Sequence, residues 1–132
     1  MAKSIKAEAF DSSMDDLLAD FMSDMTNIVE EEIDDTAKQM LKAVKECSPS
    51  WGENRTGEYK KGWEIVKEFE YLRTKRIIWN KKHYRRVHLL EKGHASRGGG
   101  RVRAFPHVEP AYKKYGEPLP NKIAKRIKEG DR

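Results

Sequence analysis

Between Met14 and Val44 the apolar residues fall at Met14, Leu17, Leu18, Phe21, Met25, Ile28, Val29, Ile33, Met40, Leu41 and Val44. Steps of three and four trace one stripe of an amphipathic helix. Ser12 or Ser13 is the expected N-cap, with Asp15 and Asp16 in the first turn. Lys38, Lys42 and Lys45 stand towards the far end, and Ser48-Pro49 stops the helix. Unbroken, residues 14–46 would form a rod of about 50 Å at 1.5 Å per residue. A small domain cannot cover that length. The acidic run from Glu30 to Asp35 is a place for a kink, but it has no glycine or proline to cause one. The stripe therefore has two readings: core contact beside a solvated face, or a helix packed partly against another subunit. Met14, Met22 and Met25 suit either, because thioethers fill irregular contacts.

Pro49, Gly52, Asn54 and Gly57 mark residues 49–62 as a loop. The runs WEIVKEFEYL and TKRIIWNKK are rich in β-formers with partial alternation, which predicts a hairpin over 62–82 that turns near Leu72 to Thr74. Trp63, Ile65 and Phe69 share one face, and Ile77 and Trp79 share a face of the second strand. A short helix over 84–92 comes next, ended by Gly93 as a left-handed cap. SRGGGRVRAF has no periodicity and full backbone freedom at Gly98 to Gly100. Pro110 stands where a helix begins, Gly116, Pro118 and Pro120 interrupt that helix, and a last basic helix presents Ile123 and Ile127. The fold class is α+β: a long N-terminal helix, a small antiparallel sheet, a short helix, a flexible Gly-rich loop and C-terminal helical segments.

At 132 residues the chain has the size of one domain, with an acidic helix over 13–47 and a basic α/β part over 51–132. Charged and hydrophobic residues each make up 37%, so the core is small and neighbouring subunits are expected to contribute stability. The net charge of +5 is unevenly spread. Residues 1–50 carry five Lys/Arg against twelve Asp/Glu, or −7, and residues 51–132 carry 22 against 10, or +12. Such a chain can bind nucleic acid through its basic part, or stack acidic face on basic face in an oligomer. A lone Cys47 gives no internal disulfide. The N-terminal run has no signal-peptide core and no segment is apolar enough to span a bilayer, so residence in a cytoplasm is expected until assembly carries the protein elsewhere.

The stretch from His88 to Pro110 holds three of the four histidines. His88, Glu91 and His94 are spaced i, i+3, i+6. Helical zinc sites instead place two histidines at i and i+4, and six steps turn a helix through about 600°. No metal site is expected. RGGGRVRAF lacks the Gly-Lys-Ser/Thr end of a phosphate loop and runs into Pro106 rather than a helix. Cys47 lies at a helix C-terminus, where the dipole disfavours a thiolate. No catalytic residue and no cofactor emerge. What remains is a positively charged loop of Arg97, Arg101 and Arg103 around Gly98, Gly99 and Gly100, flanked by Phe105. Arginine and aromatic residues anchor interfaces, and glycine lets a segment remould on docking. The plain alternative is a solvated loop with no partner.

The ordered series RTGEYKKGW, then HYRRVHLLEKGHASRGGGRVRAFPHVEPAY, resembles a family of small phage neck proteins. These are the head-tail joining or tail completion proteins of phages with long non-contractile tails. The family pattern maps onto Thr56, Gly57, Tyr59 and Lys60, then Tyr84, Glu91, Gly93 and His94, then Pro106, His107, Val108, Pro110 and Ala111. The match covers roughly residues 50–115 and departs from the pattern at Lys92, where an aromatic residue is common. The resemblance implies an α+β fold, a homo-oligomeric ring in the virion neck and no cofactor. Its partners would be the head-tail connector and the tail tube or tail terminator proteins. No membrane and no small-molecule substrate is involved, and the chain would pass through the host cytoplasm before assembly. Thr56, Gly57, Glu91, Gly93, Arg97, Gly98, Gly99, Gly100, Arg101, Arg103, Phe105, Pro106 and Pro110 are the expected interaction residues. The other class to weigh is a small basic protein binding nucleic acid without sequence preference. The twelve carboxylates of the first fifty residues count against it, since they repel phosphates. A ring around channel DNA could still touch DNA non-specifically.

Overall fold

In the computed structural model the described residues are 2–50, 56–70 and 73–130, the side chains of 2–10 and 73 excepted. Helix α1 runs unbroken over Ala2–Cys47. It starts well before the expected cap, and Ser12 and Ser13 are interior. The physical reason is upstream of them: residues 2–10 contain alanine, lysine and glutamate and no glycine or proline, so nothing stops the helix extending. At 46 residues α1 is about 70 Å long.

Glu58–Lys61 forms a one-turn helix α2 inside the expected loop. Strands β1, Trp63–Glu70, and β2, Arg73–Asn80, then pair antiparallel from Trp63↔Asn80 to Glu70↔Arg73. Leu72 of the expected turn lies outside the described residues, and Thr74 is a ladder residue opposite Phe69 rather than part of the turn. Ile65 faces Ile78, and Ile77 faces Val66. Since alternate residues point to opposite faces, Ile77 and Trp79 lie on the face away from Trp63, Ile65 and Phe69. The Trp63 face meets α1. Trp63 Nε1 donates to Ser48 Oγ at 2.9 Å, and Arg76 donates to Glu30 at 2.6 Å and to Asp34 at 2.9 Å. Lys67 lies 3.4 Å from Asp34. On the other face Trp79 Nε1 donates to Glu64 at 3.0 Å.

Helix α3, Tyr84–Lys92, ends at Gly93. That glycine has φ 74 and ψ 173, so it turns the chain in an extended rather than a left-handed helical conformation. Its requirement is closeness as well as sign: a Cβ there would sit 2.5 Å from the Val102 carbonyl oxygen. The glycine-rich loop is not wholly irregular. His94–Ala95 (β3) pairs with Arg101–Val102 (β4), which frames a short tip.

Glu109–Ala111 (α4) starts with Pro110 in its first turn, as expected. Gly116, Pro118 and Pro120 do not interrupt the helical path beyond Ala111. The chain passes through a wider π turn over Tyr112–Gly116, with Glu117 N–H donating to the Tyr112 carbonyl at 2.9 Å, and restarts as α5, Leu119–Lys128. Pro118 is the N-cap and Pro120 lies in the first turn, positions where a missing N–H costs nothing. A Cβ on Gly116 would approach the Tyr112 ring to 2.6 Å. Arg126 ties α5 to α1 through Glu31 and Glu32.

The core gathers at the C-terminal end of α1. Val44, Tyr59, Trp63 and Ala111 are buried, with Leu41, Ala43, Ile78, Val87, Leu90 and Val108 packed around them. Every residue from 11 to 23 is exposed. That stretch of α1 thus stands clear of the body.

Candidate interaction surface

The motif residues converge on one buried node. Gly57, at φ 76 and ψ 2, is the left-handed turn that starts α2, and Thr56 Oγ1 accepts from Glu58 N–H at 3.4 Å beside it. That turn drives Tyr59 into the core, 1% exposed. The Tyr59 hydroxyl meets His107 Nε2 at 2.6 Å, and His107 Nδ1 meets the Phe105 carbonyl at 2.8 Å. With the ring proton on Nδ1, the phenol donates to Nε2 and Nδ1 donates to the carbonyl, and Glu91 Oε1 also lies 3.1 Å from Nδ1. Trp63 stacks edge-on against both rings.

Glu91 fixes the segment from His107 to Glu109. Its carboxylate accepts from the backbone N–H groups of His107 at 2.8 Å, Val108 at 3.0 Å and Glu109 at 2.8 Å. These are the unpaired donors at the head of α4, where the helix dipole favours an anion. Burial pushes the Glu91 carboxyl up, and the three N–H groups outweigh it and hold the carboxyl below its ordinary value. Burial also pushes the Tyr59 phenol well up, with the Glu91 charge adding to it. The Glu91 carboxylate, the His107 imidazole and the Tyr59 phenol thus stand in line, each bonded to internal partners, and His107 is fully buried.

The node anchors the β3–β4 hairpin at both ends. Gly93 passes under Val102, and Phe105 N–H donates to the Leu90 carbonyl at 2.7 Å. Phe105 itself is half-buried, so it belongs to the base of the hairpin and not to its tip. Arg97, Gly98, Gly99, Gly100, Arg101 and Arg103 are exposed, and Val102 is exposed between two of the arginines. Gly99 and Gly100 take φ 94 and 74 with open space around them. The three arginines form no ion pair among the described residues. The expected site residues thus fall into two groups. Thr56, Gly57, Glu91, Gly93 and Phe105 build the frame, with Pro106 and Pro110 exposed at its edge, and the 97–103 segment is presented to solvent.

Three contributors carry no signal in the motif. Asn80 is fully buried, with its amide donating to the Tyr59 carbonyl at 2.7 Å and its oxygen accepting from His83 N–H at 3.0 Å. Gly62 lies so close that a Cβ would meet Asn80 Oδ1 at 2.4 Å. Arg76, whose side chain is 4% exposed, joins the sheet to α1. The hydrogen bonds it donates to Asp34 and Glu30 outweigh its burial and hold its charge, and the Arg76 guanidinium in turn lowers Asp34. Strand alternation does place Arg76 on the inward face, beside Ile78, which is the signal by which it could have been found.

A second presented feature is the apolar stripe on α1. Met14, Leu17, Leu18, Phe21 and Met22 are between 39% and 61% exposed. The stripe leads towards a groove of about 470 Å3 between α1 and the hairpin tip, lined by Met25, Val29 and Phe69. Among the described residues no three His, Cys, Asp or Glu side chains come together to hold a metal ion, and no helix is long and apolar enough to cross a membrane. No protein-family model, curated protein or solved structure matches the chain.

Proposed function

We propose that this chain is a structural assembly protein of a tailed-phage virion, acting in the neck to join or complete the tail at the head-tail connector. The observation that carries the reading is the separation of frame from surface. The ordered motif residues Gly57, Tyr59, Glu91, Gly93 and His107 lock into one node, and what that node holds out to solvent is a hairpin of arginines with no ion pair among the described residues. An enzyme needs its reactive groups at a cleft, whereas here the polar residues brought together are consumed internally. A docking protein needs a rigid frame with an adaptable, charged contact element. On this reading the arginine hairpin contacts a different virion protein, and the uncovered stripe on α1 serves self-association in a ring.

The test is a nonsense allele of this gene in the phage that carries it. Electron microscopy of the lysate should show DNA-filled heads and free tails, with joining restored when the chain is supplied. Joined, infectious particles in the absence of the chain would refute the assignment.

A second reading, non-specific binding of nucleic acid, is favoured by Arg97, Arg101 and Arg103 standing exposed. The acidic, apolar half of α1 has no role in it.

A further inference from the structure

The exposed part of α1 carries a charge pattern that restricts what can cover it. Met14, Leu18, Phe21, Met25 and Ile28 are separated by steps of four, three, four and three, a straight seam along one side of a helix. Only at its lower end, at Ile28, is that seam buried within the chain. Between residues 11 and 25 there are five aspartates and no lysine or arginine. Asp15 flanks the seam on one side and Asp20 on the other. An exposed apolar patch of this kind marks a contact surface. Two such stretches laid face to face would set aspartate against aspartate, a like-charge arrangement that interfaces avoid. The complementary surface must be apolar at its centre and basic around it.

One such surface among the described residues is the outward side of α3. Tyr84 and Leu89 are exposed there, and Arg85, His88 and Lys92 lie between them on the same side of the helix at about 100° per residue. Lys81 and Lys82 adjoin it. The acid of α3, Glu91, is turned inward to the backbone of 107–109, so no carboxylate faces out. None of these lysines makes an ion pair among the described residues, and Arg85 lies over the Tyr84 ring. At the C-terminus Lys113 pairs with Glu109, Lys125 with Glu129, and Arg126 with Glu31 and Glu32, while the β3–β4 tip offers a single apolar residue, Val102, between Arg101 and Arg103. Helix α3 packs through Val87 and Leu90 at the Val44 end of α1, far along the helix from Met14.

We infer that the Met14–Met22 stripe of one copy docks on the outward face of α3 in a second copy, with Asp15 and Asp20 against Arg85 and Lys92. Because the two surfaces lie at different ends of the molecule, the contact is head-to-tail and propagates to a closed ring or an open filament. It supplies the subunit contact of the proposed ring, and for that biological setting it rests on the neck reading.

Sedimentation and light scattering of the full chain test it. Wild type should self-associate, and Leu18→Ser with Phe21→Ser, both exposed, should keep the helical content by circular dichroism and give monomer. Asp15→Lys with Asp20→Lys in one chain, and Arg85→Glu with Lys92→Glu in another, should each weaken association by about tenfold or more. Mixing the two reversed chains should restore it, because each basic stripe then finds an acidic α3 and each acidic stripe a basic one. Wild type that stays monomeric at its highest soluble concentration, reversed chains that associate like wild type, or a mixture that stays dissociated would each overturn the inference. If the Leu18→Ser, Phe21→Ser chain is monomeric and still rescues the nonsense allele, the ring has another contact and the neck reading survives. If the mixture re-associates while the gene proves dispensable for joining, the contact survives and the neck reading fails.

Discussion

Replacing Glu91 by glutamine keeps the shape of the side chain and removes its charge. In the native chain Oε1 accepts from the N–H groups of His107 and Val108, and Oε2 accepts from Glu109. A glutamine oxygen can keep the first two bonds, weakened from charge-assisted to neutral, while its amide turns a donor towards the Glu109 N–H. Two weakened bonds and one lost sum to about 2.5 to 7 kcal/mol, given net values near 1.5 to 3 kcal/mol for bonds to a charged group and about 1 for neutral ones. At about 4 °C per kcal/mol for a chain of this length, the melting temperature should fall by about 10 °C or more. Hydrogen exchange should speed at the amides of residues 107–109 more than at those of β1. The pH dependence sharpens the test. The folded Glu91 pKa lies below its ordinary value, so its stabilisation is complete above that ordinary value and is lost as pH falls through the folded one. Wild type and variant should therefore differ most above about pH 5 and converge in acid. A difference under about 0.5 kcal/mol at neutral pH, or one that does not shrink in acid, would refute the keystone role.

Tyr59→Phe removes the hydroxyl that meets buried His107 Nε2 and should cost about 1 to 3 kcal/mol in urea unfolding, with the fold retained. Gly93→Ala, facing the Val102 carbonyl at φ 74, should cost about 2 to 4 kcal/mol, while Gly98→Ala, with open space and no positive φ, should change stability by less than about 0.5 kcal/mol. Equal effects at the two glycines would mean that the hairpin base is not fixed as described. DNA binding, if measured by fluorescence anisotropy, should fall steeply with salt and barely depend on sequence, and roughly thousandfold discrimination between sites at about 150 mM salt would favour the nucleic-acid reading.

The long helix and the hairpin are legible because each has its own period, three and four for α1 and two for β1 and β2. The start of α1 is not, since a cap residue ends a helix only where the chain upstream is able to leave it, and residues 2–10 are not. The hairpin turn is expected too late because Thr74 reads as a turn residue, while its partner Phe69 keeps it in the ladder. Gly116, Pro118 and Pro120 look like breakers one by one. In the chain they are absorbed by a π turn and a helix start, because a proline harms only where its N–H was needed. At the site, the exposed arginine tip can be read from charge and glycine alone. The frame beneath it cannot: Tyr59 and His107 are 48 residues apart, and composition does not pair them. Arg76 escapes notice for a different reason, since polarity patterns assign a charge to solvent and only the acids Glu30 and Asp34 on α1 compensate its burial.

On the proposed function, the arginine hairpin joins this chain to another virion protein. Its most direct test is complementation of the nonsense allele by two altered chains, one lacking Gly98 to Gly100 and one with Arg97, Arg101 and Arg103 all changed to serine. Shortening the exposed tip costs little closure entropy, and the arginines support no internal ion pair among the described residues, so both chains should melt within about 1 kcal/mol of wild type. Electron microscopy of the lysates should then show separate filled heads and free tails. If either chain is well folded and yields joined, infectious particles at the wild-type level, the hairpin is not the docking element and the account is wrong at its centre.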